Sequence, residues 1–154
     1  MINDVIFNLI TSPFWAAYVL KYYITAYPQK GIDMERLFIA SSLLLYDDTV
    51  TSLHDRRTYS NDLDQLIRKS EFNCYSIKKR LDETKDCTRK AIIILYNEQF
   101  IEIKEGLIYT KKQVKLKDIK DADIKKICKS AENLAFLFSD LRTVEICRKL
   151  RIVV

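Results

Sequence analysis

Glycine is nearly missing from this chain: Gly31 and Gly106 are the two that its 154 residues contain. A loop that cradles phosphates needs several glycines close together, because its main chain must pass very near the ligand. The two glycines stand far apart, so neither a P-loop nor the dinucleotide-binding fingerprint is present. ATP binding by these routes is therefore excluded.

Histidine is scarcer still, and triad chemistry would have to work through His54, the single histidine of the chain. It stands among acids and arginines in the segment DDTVTSLHDRRTY. A histidine beside acids suits a general base or a metal ligand. No second histidine, patterned carboxylate pair or nucleophile elbow accompanies it. We therefore expect no enzyme activity, no metal ion and no cofactor.

Cysteine occurs at four positions, but its spacing matches no metal or redox motif. A zinc site or a thioredoxin-like motif would need a C-x-x-C pair or a histidine beside a cysteine, and the chain has neither. Free cysteine behaves as a small hydrophobe, so we expect buried or incidental thiols. The four residues are Cys74, Cys87, Cys128 and Cys147.

Long apolar runs are missing as well. No stretch approaches the roughly 20 apolar residues that a membrane-spanning helix needs. The start, MINDVIFNLITSPFW, has neither the basic region nor the cleavage site of a signal peptide. We expect a cytoplasmic protein. Because 48% of the residues are hydrophobic, one core can form, and residues 1–154 are predicted to be a single domain.

The net charge of +5 is unevenly placed along the chain. The first 60 residues carry 5 Lys and Arg against 6 Asp and Glu, and the remainder carries 21 against 15. All of the positive excess therefore lies in the later portion. An anionic partner is therefore expected to bind to the later portion.

An aromatic helix is predicted near the N-terminus. Ser12 supplies a cap hydroxyl, and Pro13 suits the first helical position. The helix from Phe14 to about Tyr27 is apolar nearly all round, so it must be covered on more than one side. It is either a central core helix or a helix with a docking face for another subunit, because Tyr and Trp are enriched at interface hot spots.

Three further helices are predicted before residue 86. The second helix of the chain runs from Asp33 to Tyr46 and is the antiparallel partner of the first. The segment from Asp47 to Tyr59 is predicted to be a loop with at most one helical turn, and Ser60 to cap the next helix. A further helix from Phe72 to Leu81 ends before a break at residues 82–85.

Residues 86–112 are predicted to form an amphipathic helix that turns directly into a short β-hairpin. Asp86 can cap this helix. After Gln99 the hydrophobic period changes to two, and Gly106 stands where a hairpin turn needs positive φ. The predicted fold class is mainly α, a small helical domain with a winged-helix-like unit. The apolar stripe of its helix consists of Cys87, Ala91, Ile94 and Leu95.

A long helix is predicted after a lysine-rich exit from the hairpin. Eight lysines and three aspartates lie between Lys111 and Lys129. A short helix, TVEICRKL, and an apolar end then complete the chain. The stripe of the long helix consists of Ile124, Ile127, Cys128, Ala131, Leu134, Ala135 and Phe138.

Two functions remain open on the residues alone, since winged-helix folds serve both. The first is nucleic-acid binding through lysines in and after the wing, with an affinity that weakens as salt rises. The second is a protein-interaction subunit that docks through the aromatic helix or the wing. The candidate DNA-contacting residues are Lys104, Lys111, Lys112, Lys115 and Lys117. The candidate partner-interface residues are Phe14, Trp15, Tyr18, Tyr22, Phe100, Ile101, Ile103 and Tyr109.

The order of these segments resembles the middle component of three-component ABC systems, including those of Lamassu-type anti-phage defence. A threonine near the start of the helix before the wing, here Thr88, is part of the resemblance. Residues 82–85 stand where the family pattern has prolines and glycines. The segments that carry the resemblance are SPFWAAYVLKYY, MERLFIASSLLLYDDT, DETKDCTRKAIIILYNEQFIEI, SAENLAFLFSDL and LRIVV.

The resemblance implies a non-enzymatic role. A member of this family would be an adaptor held on the head region of an SMC-like ABC ATPase, where it helps to restrain an effector subunit, often a nuclease, until foreign or aberrant DNA ends are sensed. The implied partners are therefore the ATPase and the effector, in a hetero-oligomer. The basic later portion would then lie close to the DNA that the ATPase holds.

Overall fold

The computed structural model describes residues 12–27, 31–69 and 74–152. These residues form a mainly helical fold with a small antiparallel sheet, which confirms the predicted fold class. The first half contains α1 (Pro13–Ala26), β1 (Ile32–Asp33), α2 (Met34–Leu44), α3 (Asp47–His54), a 3₁₀ turn (Arg56–Thr58) and α4 (Leu63–Lys69). The second half contains α5 (Cys74–Asn97), β2 (Ile101–Lys104), β3 (Leu107–Thr110), a 3₁₀ turn (Leu116–Asp118), α6 (Ala122–Ser139) and α7 (Thr143–Lys149).

Helix α1 starts as predicted. The Ser12 side chain accepts a hydrogen bond from the main-chain N–H of Trp15 at 3.4 Å, and Pro13 occupies the first helical position. Helix α1 is buried along most of its length and packs on both α5 and α6. It is therefore a central core helix, with part of its first half left at the surface. Pro28, the predicted terminator, lies outside the described residues.

The predicted hairpin is confirmed. Strands β2 and β3 pair with Ile103 opposite Ile108, and a two-residue turn joins them. Both turn residues have positive φ, 54° at Glu105 and 78° at Gly106, so the turn has the backbone twist that tight hairpins require.

Strand β1 was not predicted. It pairs with β3, with Ile32 opposite Ile108, and makes the strand order of the sheet β1-β3-β2. A Cβ atom on Gly31 would lie 2.7 Å from the Cβ of Leu107, so the glycine lets the two chain segments approach. Two residues are too few to show a period, so this strand has no recognisable pattern in the sequence.

The predicted break at residues 82–85 is wrong, because α5 runs without interruption through it. Asp86 is no N-cap: it lies within α5, exposed, and pairs with Arg89 at 3.2 Å. The hydroxyls of Thr84 and Thr88 are buried and donate to the carbonyls one turn earlier, both at 2.8 Å. Inside α5, these threonines need no other partner.

The loop predicted for Asp47 to Tyr59 is also wrong, because α3 occupies most of it. Distant side chains hold this helix in place. Ser130 on α6 donates to the carbonyl of Val50 at 3.0 Å, and Asn133 donates to that of Leu53 at 3.0 Å. These bonds tie α3 to α6 across 80 positions of sequence.

The cap predicted at Ser60 is wrong too. Ser60 has a φ of 47° and lies in a turn, while Asp62 accepts the main-chain N–H of Asp64 at 2.9 Å at the start of α4. The buried positions Leu63 and Leu66 are confirmed, and Ile67 is partly buried.

The long helix and the short helix after it are confirmed as α6 and α7. Most of the predicted stripe of α6 is fully buried, with Ile124 and Ile127 partly buried at the start of the helix. No described helix is long and apolar enough to cross a bilayer.

Candidate interaction surfaces

Aromatic side chains at the start of α1 form an exposed cluster, called here the α1 aromatic surface: Phe14, Trp15 and Tyr18. Phe14 is 72% exposed and Tyr18 is 36% exposed. Trp15 is partly buried and stacks on Tyr18, with the ring centroids 5.8 Å apart and the planes at 13°. This stacking restricts the rings of Trp15 and Tyr18, so these two side chains have less conformational freedom to lose when a partner binds.

Tyr22 lies beneath the α1 aromatic surface and is only 4% exposed. Its ring centroid is 5.6 Å from that of Tyr18. Burial raises the pKa of Tyr22 well above its usual range, with a contribution from its hydrogen bond to Tyr18. Tyr22 therefore supports the outer ring from below and offers a partner almost no surface of its own.

The candidate interface residues of the wing also divide into buried and exposed side chains. Phe100 and Ile101 are buried, Tyr109 is partly buried, and Ile103 is 40% exposed. Lys21 covers Phe100, with its Nζ 5.4 Å from the ring centroid. Of these four residues, Ile103 presents the apolar surface that a partner can reach.

Two of the five candidate DNA-contacting lysines are engaged within the fold. Lys104 pairs with Glu102 at 3.2 Å, and the Nζ of Lys112 donates to the carbonyl of Glu98 at 3.0 Å. Both side chains remain exposed. The carboxylate of Glu102 partly offsets the charge of Lys104, whereas the carbonyl bound by Lys112 leaves its charge uncompensated.

The other three candidates, Lys111, Lys115 and Lys117, are exposed and have no carboxylate partner among the described residues. The segment that carries them is anchored, because Val114, Leu116 and Ile119 pack against the core between the lysines. The apolar side chains pack inward, so the lysines project to solvent from an anchored backbone. We call residues 111–120 the lysine segment.

His54 ends α3 as an exposed residue, and its carbonyl accepts a hydrogen bond from Asn133 at 3.3 Å. Within the described ranges, no three His, Cys, Asp or Glu side chains come together to hold a metal ion. The nearest acid in sequence, Asp55, is bound by Arg57 at 3.0 Å, which lowers the pKa of its carboxyl group.

Three of the cysteines are free and buried, as predicted: Cys87, Cys128 and Cys147. Burial raises the pKa of each thiol, and that of Cys128 to about 12. These thiols stay protonated near neutral pH and are poor nucleophiles. The side chain of Cys74 lies outside the described residues.

Sequence reasoning missed several exposed apolar side chains. Ile93 is 53% exposed and Tyr96 is 56% exposed on the outer side of α5, and Val144 is 73% exposed on α7. For Ile93 a signal existed, because it is an apolar residue that falls off the helical stripe. Val144 carried no such signal, since α7 is too short for a clear period.

A comparison with protein families matches residues 2–154 to the family described as ABC-three component (ABC-3C) system Middle Component 3. The match extends over almost the whole chain and agrees with the resemblance found in the sequence. No curated protein and no solved structure matches the chain.

Proposed function

The chain belongs to the family of middle component 3 of ABC-three component systems, and we propose that it is a non-enzymatic adaptor in anti-phage defence. In this role it bridges an SMC-like ABC ATPase and an effector subunit of the nuclease type, in the cytoplasm. A component of a three-component system works with partner subunits. Its surface must therefore carry contact sites for those subunits.

The α1 aromatic surface carries this proposal. Phe14 has a large apolar side chain, yet it is 72% exposed, whereas most other residues of α1 are buried. Exposed aromatic residues on a fixed backbone are favoured anchors of protein interfaces. The ordered stack of Trp15 on Tyr18 supplies a neighbouring surface that excludes water when a partner docks.

Co-expression of the chain with the two other subunits of its system tests the proposal. We expect the three to purify together, and the variant Phe14→Glu to lose at least one partner while its melting temperature stays unchanged. Phe14 is exposed, so its substitution leaves the core intact. The same variant is expected to abolish protection in a phage plaque assay.

Tyr22→Ala is the matched control on the same helix, because it changes a buried side chain instead of an exposed one. Its ring is buried, so the variant is expected to lose about 3 kcal/mol of unfolding free energy. If the Phe14→Glu chain kept both partners, the α1 aromatic surface would not be part of an interface. A wild-type chain that purifies alone would refute the adaptor function itself.

A second candidate function is that of a free winged-helix DNA-binding protein. The lysine segment favours it, because five lysines and one aspartate lie between residues 111 and 120. Lysines that meet phosphates release condensed counterions, so affinity falls steeply as salt is raised. Contacts of this kind would not depend on base sequence.

Substitution of Lys111, Lys115 and Lys117 by Glu tests this candidate. We expect weaker binding to a DNA duplex and a shallower slope of log K against log salt, by about 0.9 for each phosphate that a lysine no longer neutralises. The matched control is the same change at Lys78, Lys79 and Lys85, which are exposed on α5. Equal binding by the two triple variants would exclude a specific role for the lysine segment.

A further inference from the structure

A groove of about 630 Å³ lies between the start of α2 and the outer side of α7. We call it the α7 groove. Val144 forms one of its edges and is 73% exposed, while Cys147 is buried below. The residues that line it are Asp33, Glu35, Thr143, Val144, Cys147, Arg148 and Ile152.

The shape of the α7 groove is fixed by hydrogen bonds at both ends. Thr143 donates to the carboxylate of Asp33 and accepts from Arg36 at 2.9 Å, which ties α7 to the start of α2. At the other end, the N–H of Ile152 donates to the carbonyl of Cys147 at 2.8 Å and closes α7. The groove is thus formed before any ligand arrives.

The two walls of the α7 groove carry opposite charges. On the α2 wall, Glu35 is exposed and has no ion-pair partner among the residues that the structure describes. On the α7 wall, Arg148 is also exposed and forms no ion pair with a carboxylate of those residues. Burial raises the pKa of the Cys147 thiol, the charge of Glu35 raises it further and that of Arg36 lowers it, so both charges lie near the apolar floor.

We propose that the α7 groove receives an amphipathic helix of a partner subunit, with a basic side chain facing Glu35 and an acidic side chain facing Arg148. An apolar stripe at i, i+3 or i+4, and i+7 would cover Val144, Cys147 and Ile152. Opposite charges on the two walls fix the direction in which such a helix lies. The inference rests on the proposed adaptor function and assigns one of its contact surfaces.

Val144→Asp is the first variant to test. Val144 lies in the first turn of α7, where an acidic residue interacts favourably with the helix dipole, so α7 is expected to stay folded. In the co-expressed complex, recovery of one partner is expected to fall by at least about tenfold. Ile93→Asp places the same charge on an exposed apolar site of α5 and is expected to leave that partner bound.

Peptides of 20 residues that tile both partner subunits identify the occupant. The peptide that binds best is expected to show the apolar stripe with basic and acidic edges, and to bind Val144→Asp at least about tenfold more weakly. Glu35→Lys is expected to weaken binding of the same peptide. Replacing the peptide's basic residue by Glu is then expected to restore its binding to the Glu35→Lys chain.

The outcomes separate the two proposals. Assembly that Val144→Asp leaves intact, or that Ile93→Asp reduces equally, would overturn the α7 groove as a docking site while the adaptor function stands. A wild-type chain that binds neither subunit and none of the peptides would overturn both.

Discussion

The guanidinium group of Arg36 donates a hydrogen bond of 2.7 Å to the main-chain carbonyl of Phe138, across 102 positions of sequence. Arg36 is only 9% exposed and also donates to the carbonyl of Leu141 and, at 3.0 Å, to the hydroxyl of Tyr27. Phe138 lies in the last turn of α6, where helix carbonyls lack intrahelical partners and a cation is favoured, and Leu141 lies two residues beyond the end of that helix. One side chain thus joins α1, α2 and α6.

Arg36→Met is therefore expected to lower the free energy of unfolding by about 3 kcal/mol, because one buried carbonyl and three partly buried oxygens lose a charged donor. The melting temperature should fall by about 6 to 12 °C. Arg57→Met is the control, since that side chain is 90% exposed in its pair with Asp55 and its loss should leave the melt unchanged. Equal melts for the two variants would contradict a structural role for Arg36.

Gly31→Ala is expected to destabilise the sheet by about 1 to 3 kcal/mol, the usual range for overpacking. The added Cβ would lie 2.7 Å from Leu107 and 2.8 Å from the hydroxyl of Tyr109. Gly106→Ala tests backbone strain without crowding. Its φ is 78°, and nothing lies within 4 Å of the position that an added Cβ would take. Urea unfolding of each variant measures the effect. A Gly31→Ala chain as stable as the wild type would mean that β1 and β3 are further apart.

Gln99→Gly is expected to stabilise the chain by about 0.5 to 1 kcal/mol. Gln99 has a φ of 60° at the end of α5, and the N–H of Phe100 donates to the carbonyl of Leu95 at 3.0 Å. This is a Schellman motif in which glycine is normally found at the left-handed position. Lys90→Gly, inside the same helix, should instead lower stability by about 0.5 to 1 kcal/mol. Chemical unfolding that moved both variants in the same direction would contradict the motif.

Stability should decline in alkali partly through Cys128. Its thiol has a pKa of about 12 in the fold because it is buried, against 9.0 for an ordinary thiol. A pKa raised by folding contributes stability that is complete below pH 9 and is lost as the pH rises from 9 to 12. The wild type is therefore expected to lose about 1 kcal/mol relative to Cys128→Ala between pH 9 and pH 10. If the unfolding free energies of the two chains changed equally between pH 9 and pH 10, the pKa of the buried thiol would not be raised.

Elements with a strong local signal were predictable from the sequence. Ser12 and Pro13 mark the start of α1 because capping depends on a few adjacent residues. Gly106 marks the hairpin because a tight turn needs positive φ. The stripe of α6 repeats over enough turns to show its period.

Other elements depended on distant partners. Helix α3 is polar and short, and it is held by Ser130 and Asn133, some 80 positions away. Strand β1 exists because β3 offers it a partner. Residues 82–85 resemble a break because they are polar, but they include no proline or glycine to end α5.

The mainly helical fold, the hairpin and the positive excess of the later portion all follow from the amino-acid sequence alone. Tertiary packing was needed to establish that Phe14 is a surface residue while Tyr22, Phe100 and Ile101 are buried. The same packing brings Glu35 and Arg148 to opposite walls of one groove. The reason is physical: helical period and turn chemistry act between neighbours in sequence, whereas burial and the meeting of charges depend on which distant segments pack together.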